Sequence, residues 1–200
     1  MFLAAGLGCA STAEASLISR LGGQAVYDTD FNITWLANAN AANGTMNWQA
    51  AKDWATGLNV GGYTGWRLPT ALNADGSGPC ALGWNCTNSE LGHLFYTEGG
   101  LTQGQNITSS AVLSNIFSNM QNSVYWSGTE FAPSPTNAWY FNTVNGYQDI
   151  DSKGVNHYAW AVRSGDVGGS SVPEPGIIGL LGIGALAWVG TRQKRRGLSG

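Results

Sequence analysis

Few residues in this chain can do acid–base, nucleophilic or metal chemistry. There are two histidines, His93 and His157, and three cysteines, Cys9, Cys80 and Cys86. The sequence has no H-E-x-x-H, G-x-S-x-G, C-x-x-C or phosphate-cradling glycine loop. His93 falls on an expected helix and is read as a surface or packing residue. Two stretches put carboxylates at alternating positions: Asp28, Asp30 and Asn32, then Asp149 and Asp151. A calcium loop of this kind needs a bidentate Glu at its twelfth position, and those slots hold Ala39 and Trp160. Both stretches are therefore read as solvated turns. No catalytic residue, metal or cofactor is assigned, and the expectation is a protein that is not an enzyme. The alternative is an enzyme of unrecognised chemistry built around Arg67, Glu90, Glu130 or His157.

Cys80 and Cys86 sit in "DGSGPCALGWNCTNSE", a polar and glycine-rich loop. In an oxidising compartment a pair at this spacing closes a small loop, and a disulfide is expected. Trp84 lies between them and is the candidate for stacking on a sugar. Four Asn-x-Thr sequons, at Asn32, Asn43, Asn85 and Asn106, are read as a by-product of Asn-rich loops.

The elements that must hold these residues can be read from periodicity. "AVYD" and "ITWL" favour two short strands around a turn. Trp48, Ala51, Ala55 and Leu58 recur at helical spacing after a capping Asn47 or Thr45. A second helix is expected from Ser89 or Glu90 to Tyr96. A third is expected from Ser110 to Met120, with Val112, Leu113, Ile116, Phe117 and Met120 on one face. Strands come next in "SVYWSGTEF", "AWYFNTV", "YQDIDS" and "YAWAVRS". Helices early and strands late, with long loops between, predict an α+β fold.

The chain has 200 residues, enough for one domain with a core plus short appendages. Only 10% of residues are charged, while Gly (29) and Trp (9) are abundant, so the chain can bury enough apolar surface to fold. From Ser16 to Val172 there are five basic residues against ten acidic ones, which excludes a broad nucleic-acid face. Four of the nine basic residues crowd the last nine positions instead.

Both ends read as address segments. Residues 1–15 are small and apolar and end in Ala13-Glu14-Ala15, similar to a secretory signal peptide. The stretch lacks a positive n-region, which leaves the true N-terminus open. Gly6-Leu7-Gly8 before Cys9 is a poor lipobox, so lipidation is not expected. At the other end, residues 176–190 form an apolar run expected to be a single transmembrane helix. At about 1.5 Å per residue it spans roughly 22 Å against a core of about 30 Å, and Trp188 and Arg192 can extend it at the interface. Val172, Pro173, Glu174 and Pro175 precede it, and Arg192, Lys194, Arg195 and Arg196 come after it as a basic stop. Order, position and charge together resemble a PEP-CTERM protein-sorting signal over 172–197, with 166–171 as a linker. That resemblance implies an exopolysaccharide-producing bacterium and an exosortase that recognises and cuts the tail. The precursor would sit in the inner membrane by its C-terminal helix, and the product would reach the cell envelope or extracellular matrix. Partners would be the exosortase and an exopolysaccharide or surface protein, with no nucleic acid.

The middle of the chain carries a second resemblance. Trp48, Ala51 and Trp54 precede Gly62-Tyr63-Thr64-Gly65-Trp66-Arg67-Leu68-Pro69-Thr70. Glu90-Leu91, then Tyr125-Trp126-Ser127-Gly128-Thr129, Ala138-Trp139-Tyr140-Phe141 and Ala161-Val162-Arg163 appear in order after them. Together they resemble the DUF1566 (Lcl C-terminal-like) domain over 24–165, which implies a C-type-lectin-like fold with long loops. The fold implies loop display, and no reaction. Trp66, Trp126 and Trp139 are expected as core pillars, and Leu68 and Pro69 as a buried residue and a turn. Arg67, in apolar surroundings, requires an acidic partner, for which Glu90 and Glu130 are candidates. Ligand binding is expected on the loops at 70–88 and 131–137.

Overall fold

The computed structural model describes residues 16–168, which belong to a compact unit ending at Gly168. The signal segment, the linker beyond Gly168 and the whole C-terminal tail lie outside the described residues. The described residues are α+β, with two small sheets and few, short helices.

The first sheet is antiparallel, in the order β1 (Leu17–Arg20), β2 (Ala25–Asp28), β3 (Ile33–Leu36) and β9 (Val162–Ser164). All four residues of β3 are buried, so this strand is covered on both faces and its run of apolar residues does not alternate. The β2–β3 turn is tied by Asp28, whose Oδ1 accepts the N–H groups of Asp30 and Phe31, each at 3.1 Å. Asn32 then takes a positive φ of 49°, a conformation that Asn tolerates.

The second sheet runs β4 (Thr45–Met46), β8 (His157–Tyr158), β5 (Val124–Glu130), β6 (Asn137–Asn142) and β7 (Tyr147–Ser152). β5, β6 and β7 form an antiparallel meander, while β8 lies parallel to β5 with Tyr158 opposite Tyr125. The register shifts between Trp126 and Glu130, so β5 bends there. Helix α1 (Trp48–Thr56) is capped by the Asn47 side chain and buries Trp48, Ala51 and Ala55.

Indole rings join these elements into one core. Trp35, Trp126 and Trp160 are fully buried and Trp66 nearly so. Three buried indole N–H groups donate to main-chain carbonyls on other segments. Trp48 reaches Ser127 at 2.7 Å, Trp126 reaches Met46 at 3.0 Å and Trp160 reaches Leu36 at 2.7 Å. Each of these three rings thus contributes apolar area and a directed bond that fixes how two segments meet.

Several elements differ from the sequence expectations. β1 was not expected; it precedes the two expected strands, β2 and β3. Helix α3 is only Ala111–Ile116, not Ser110 to Met120. Phe117 turns extended because Ser118 pairs with the 37–39 segment: it donates to Ala37 and accepts from Ala39. Of the expected apolar face, Leu113 and Phe117 are buried, while Val112 is exposed. "YAWAVRS" splits into β8 and β9, one in each sheet. The second helix starts at Glu90 as α2 (Glu90–Gly92) but continues as a wider π-helical segment, His93–Glu98. Among the described residues no helix is long and apolar enough to cross a membrane; the expected span at 176–190 lies outside them.

Candidate functional site

The Trp-Arg-Leu-Pro-Thr segment is extended and pairs with β9: Arg67 and Val162 exchange both main-chain bonds at 2.8 Å. This pairing buries Trp66 and Leu68 on one side and aims the Arg67 guanidinium at α2. Arg67 meets Glu90 through two parallel bonds of 2.8 and 2.7 Å. Glu90 also accepts the Thr70 main-chain N–H at 2.7 Å. Of the two candidate partners Glu90 is the one used; Glu130 pairs with Lys153 instead. Thr70 and Thr129 share a hydroxyl bond of 3.0 Å, and Pro69 accepts the Gly128 N–H at 2.7 Å. The segment is thus clamped to both α2 and β5. The remaining motif residues are also packed: Trp139 is buried against Phe131, while Arg163 donates to Thr64 and lies over the Tyr63 ring.

Beside this clamp is an open cleft of about 520 Å³, lined by Lys52, Thr56, Arg67, Leu68, Thr70, Leu72, Gly128 and Thr129. Its surface is mostly apolar, with threonine hydroxyls and the cations of Lys52 and Arg67. That ammonium lies 4.3 Å above the Trp48 ring, and Lys153 lies at 4.3 Å from the same ring. No histidine, cysteine or carboxylate lines the cleft among the described residues.

Cys80 and Cys86 form a disulfide. The loop they close is fixed further by Gly83, which exchanges main-chain bonds of 2.9 and 2.8 Å with Gln148 on β7, and by the Asn85 N–H, which donates to the Tyr96 hydroxyl. Trp84 is 46% exposed on this loop and meets Tyr147 edge to face at 4.5 Å. It is an aromatic side chain presented on a rigid support.

His157 packs against Trp126 and Tyr140 and bonds Asp151 at 3.1 Å. Burial pushes its pKa down, and this outweighs the opposing pull of Asp151. His93, expected as a surface or packing residue, is not at the surface. It is buried, stacked at 4.2 Å on Phe31, and its Nε2 is 3.1 Å from Glu98 Oε1. Burial alone raises the Glu98 pKa, but hydrogen bonds from His93 and Ser16 outweigh it and hold the carboxyl below its ordinary range. Asp28, expected in a solvated turn, is fully buried, and burial raises its pKa. Asp30 is half exposed and Asn32 lies at the surface, where it accepts from Tyr27. Asp149 and Asp151 are partly exposed on β7.

One comparison bears on where these side chains work. Residues 171–196 match the PEP-CTERM protein-sorting motif. The match includes Val172, Pro173, Glu174 and Pro175 and extends through Arg196. A PEP-CTERM motif is recognised by an exosortase and directs an exported, membrane-anchored precursor to the cell surface. The matched stretch covers the tail alone and says nothing of the α+β body. No curated protein is similar enough in sequence to match the chain.

Proposed function

We propose that this is an exported, non-enzymatic surface or extracellular-matrix protein, released from the membrane by an exosortase and displaying a ligand-binding α+β domain. The observation that carries the reading is the PEP-CTERM motif at 171–196. The order and packing of the Trp-Arg-Leu-Pro-Thr, Tyr-Trp-Ser and Ala-Val-Arg segments support a DUF1566-like, C-type-lectin-like body whose loops carry the binding. Its motif residues act as structure: Arg67 and Glu90 close a clamp, and the tryptophans fill the core. Trp84 on its disulfide-closed loop supports a carbohydrate ligand, because a rigid exposed indole can stack on a sugar ring with little ordering cost.

Mass spectrometry of the mature protein tests the sorting. The expected product ends upstream of Arg195-Arg196, and an intact C-terminus in the mature envelope fraction rejects processing. Glycan-array binding tests the ligand. Trp84→Ala is expected to abolish the strongest signals while leaving the thermal midpoint unchanged. Binding that is unaffected by the substitution removes the sugar reading.

A further inference from the structure

β2 ends in Asp28, and the π-helical segment brings two more donors against it. One ligand atom each from Asp28, His93 and Glu98 lies within 4.8 Å of the other two. His93 Nε2 stands 3.1 Å from Glu98 Oε1, 3.8 Å from Asp30 Oδ2 and 4.0 Å from Asp28 Oδ1. The helix geometry makes this possible. An i→i+5 helix stacks residues five apart, whereas an α-helix stacks residues three and four apart, so His93 and Glu98 share a face only in the wider form.

Hydrogen bonding within the cluster accounts for only part of it. One imidazole N–H can serve Glu98, but 3.8 and 4.0 Å are too long for hydrogen bonds to Asp30 and Asp28. Asp28 is fully buried, and its Oδ2 has no hydrogen-bond partner. The buried Trp35 indole N–H lies near the same carboxyl and helps to hold its charge, but it too falls short of full hydrogen-bond geometry. Leaving a buried carboxylate oxygen unpaired beside two further carboxylates is costly. A cation held among them removes that cost.

We propose that Asp28, His93 and Glu98 bind a divalent first-row transition ion, with Asp30 as the fourth, solvent-side donor. An imidazole nitrogen with carboxylate oxygens suits zinc or manganese, whereas calcium takes six to eight oxygens. Tetrahedral bonds of about 2.1 Å place ligand atoms roughly 3.4 Å apart, which the observed separations reach by small side-chain adjustments. The supporting contacts are those of a held ligand set. Asp28 Oδ1 is fixed by two main-chain N–H groups, Glu98 Oε2 accepts from Ser16, and Phe31 stacks on the His93 ring. Asp30, 51% exposed at its side chain, opens the path to solvent. The ion would clip the β2–β3 turn to a helical segment far along the chain, and so act on stability.

The test uses the full chain in detergent, without a polyhistidine tag, stripped by chelator and equilibrated separately with zinc, manganese and calcium. Bound metal is counted by elemental mass spectrometry and stability by thermal unfolding. One zinc or manganese per chain is expected, with the midpoint raised by about 5–10 °C at hundredfold excess over the dissociation constant. His93→Gln and Glu98→Gln are each expected to weaken the site at least tenfold, while a change at the exposed Val144, Val144→Ala, retains it. Should either variant fail to fold, the wild-type titration still decides. No uptake of zinc or manganese by the wild type, preferential uptake of calcium, or uptake indifferent to both substitutions overturns the proposal.

Discussion

Glu90 accepts three hydrogen bonds from two directions, so one carboxylate sets both the Arg67 side chain and the turn at Thr70. Glu90→Gln keeps the shape but removes the charge opposite a partly buried guanidinium. The expected cost is about 2 kcal/mol, read as a lower urea midpoint. An unchanged midpoint would mean that Arg67 is satisfied by water. Arg67's need for an acid was legible in its apolar neighbours. The choice of Glu90 over Glu130 was not, because it depends on α2 packing beside the Arg67 strand. His157 carries a pH prediction. Its folded pKa lies below the ordinary value of 6.5, with Asp151 and the rings of Trp126 and Tyr140 around it. As pH falls through about 6.5 the unfolded chain takes up this proton first, so this site's contribution to stability declines until the folded histidine also protonates. Replacing His157→Gln is expected to flatten the stability-against-pH slope between about pH 5 and 7, and a slope identical to wild type would exclude the site as its source.

At the scale of elements, what the sequence concealed was a change of helical pitch. Glu90 to Tyr96 reads as an α-helical start, and on α geometry His93 and Glu98 point apart. The π-helical segment beginning at His93 brings them together. Nothing in local propensity announces this; tertiary packing decides it, as it does where Ser118 pairs with the 37–39 segment and stops α3 early. Gly92, at the junction, has no room for a side chain: a Cβ there would collide with the Cys86 carbonyl. Gly92→Ala is therefore expected to cost about 1–3 kcal/mol by thermal or denaturant unfolding, and tolerance of alanine would show that the junction can shift. The Cys86 end of the disulfide loop thus packs directly on this helix. Paired Cys80→Ser and Cys86→Ser changes are expected to cost about 2 kcal/mol, the closure entropy of so short a loop, and to make the main chain around Trp84 exchange its amide hydrogens faster.

For the molecule as a whole, the sequence was most informative where composition and order speak together. Tryptophans spread along the chain predicted a core built on indole rings, and the paired prolines, apolar run and basic stop predicted the sorting tail. The two-sheet arrangement was less legible, because strands of two to seven residues carry little periodic signal. The tail matches a motif outside the compact body, so sorting and folding should separate. Replacing both Pro173→Ala and Pro175→Ala is expected to leave the precursor uncut on a mass spectrum, with the body's unfolding midpoint unchanged. A shifted midpoint would show that the tail contributes to the fold. The last residues of the body are fastened at many points. β9 bonds to β3 on one side and to Arg67 on the other; Gly165 bonds Asn32 and Thr34; Asp166 pairs with Arg20 at 2.7 Å; Val167 is buried; and Gly168 donates to the Tyr63 hydroxyl. While the precursor is still held by its C-terminal tail, that seam is where tension would enter. Drag on the exposed body would be shared among several fasteners that must yield together, so the domain is built to be pulled from its C-terminal end without unravelling.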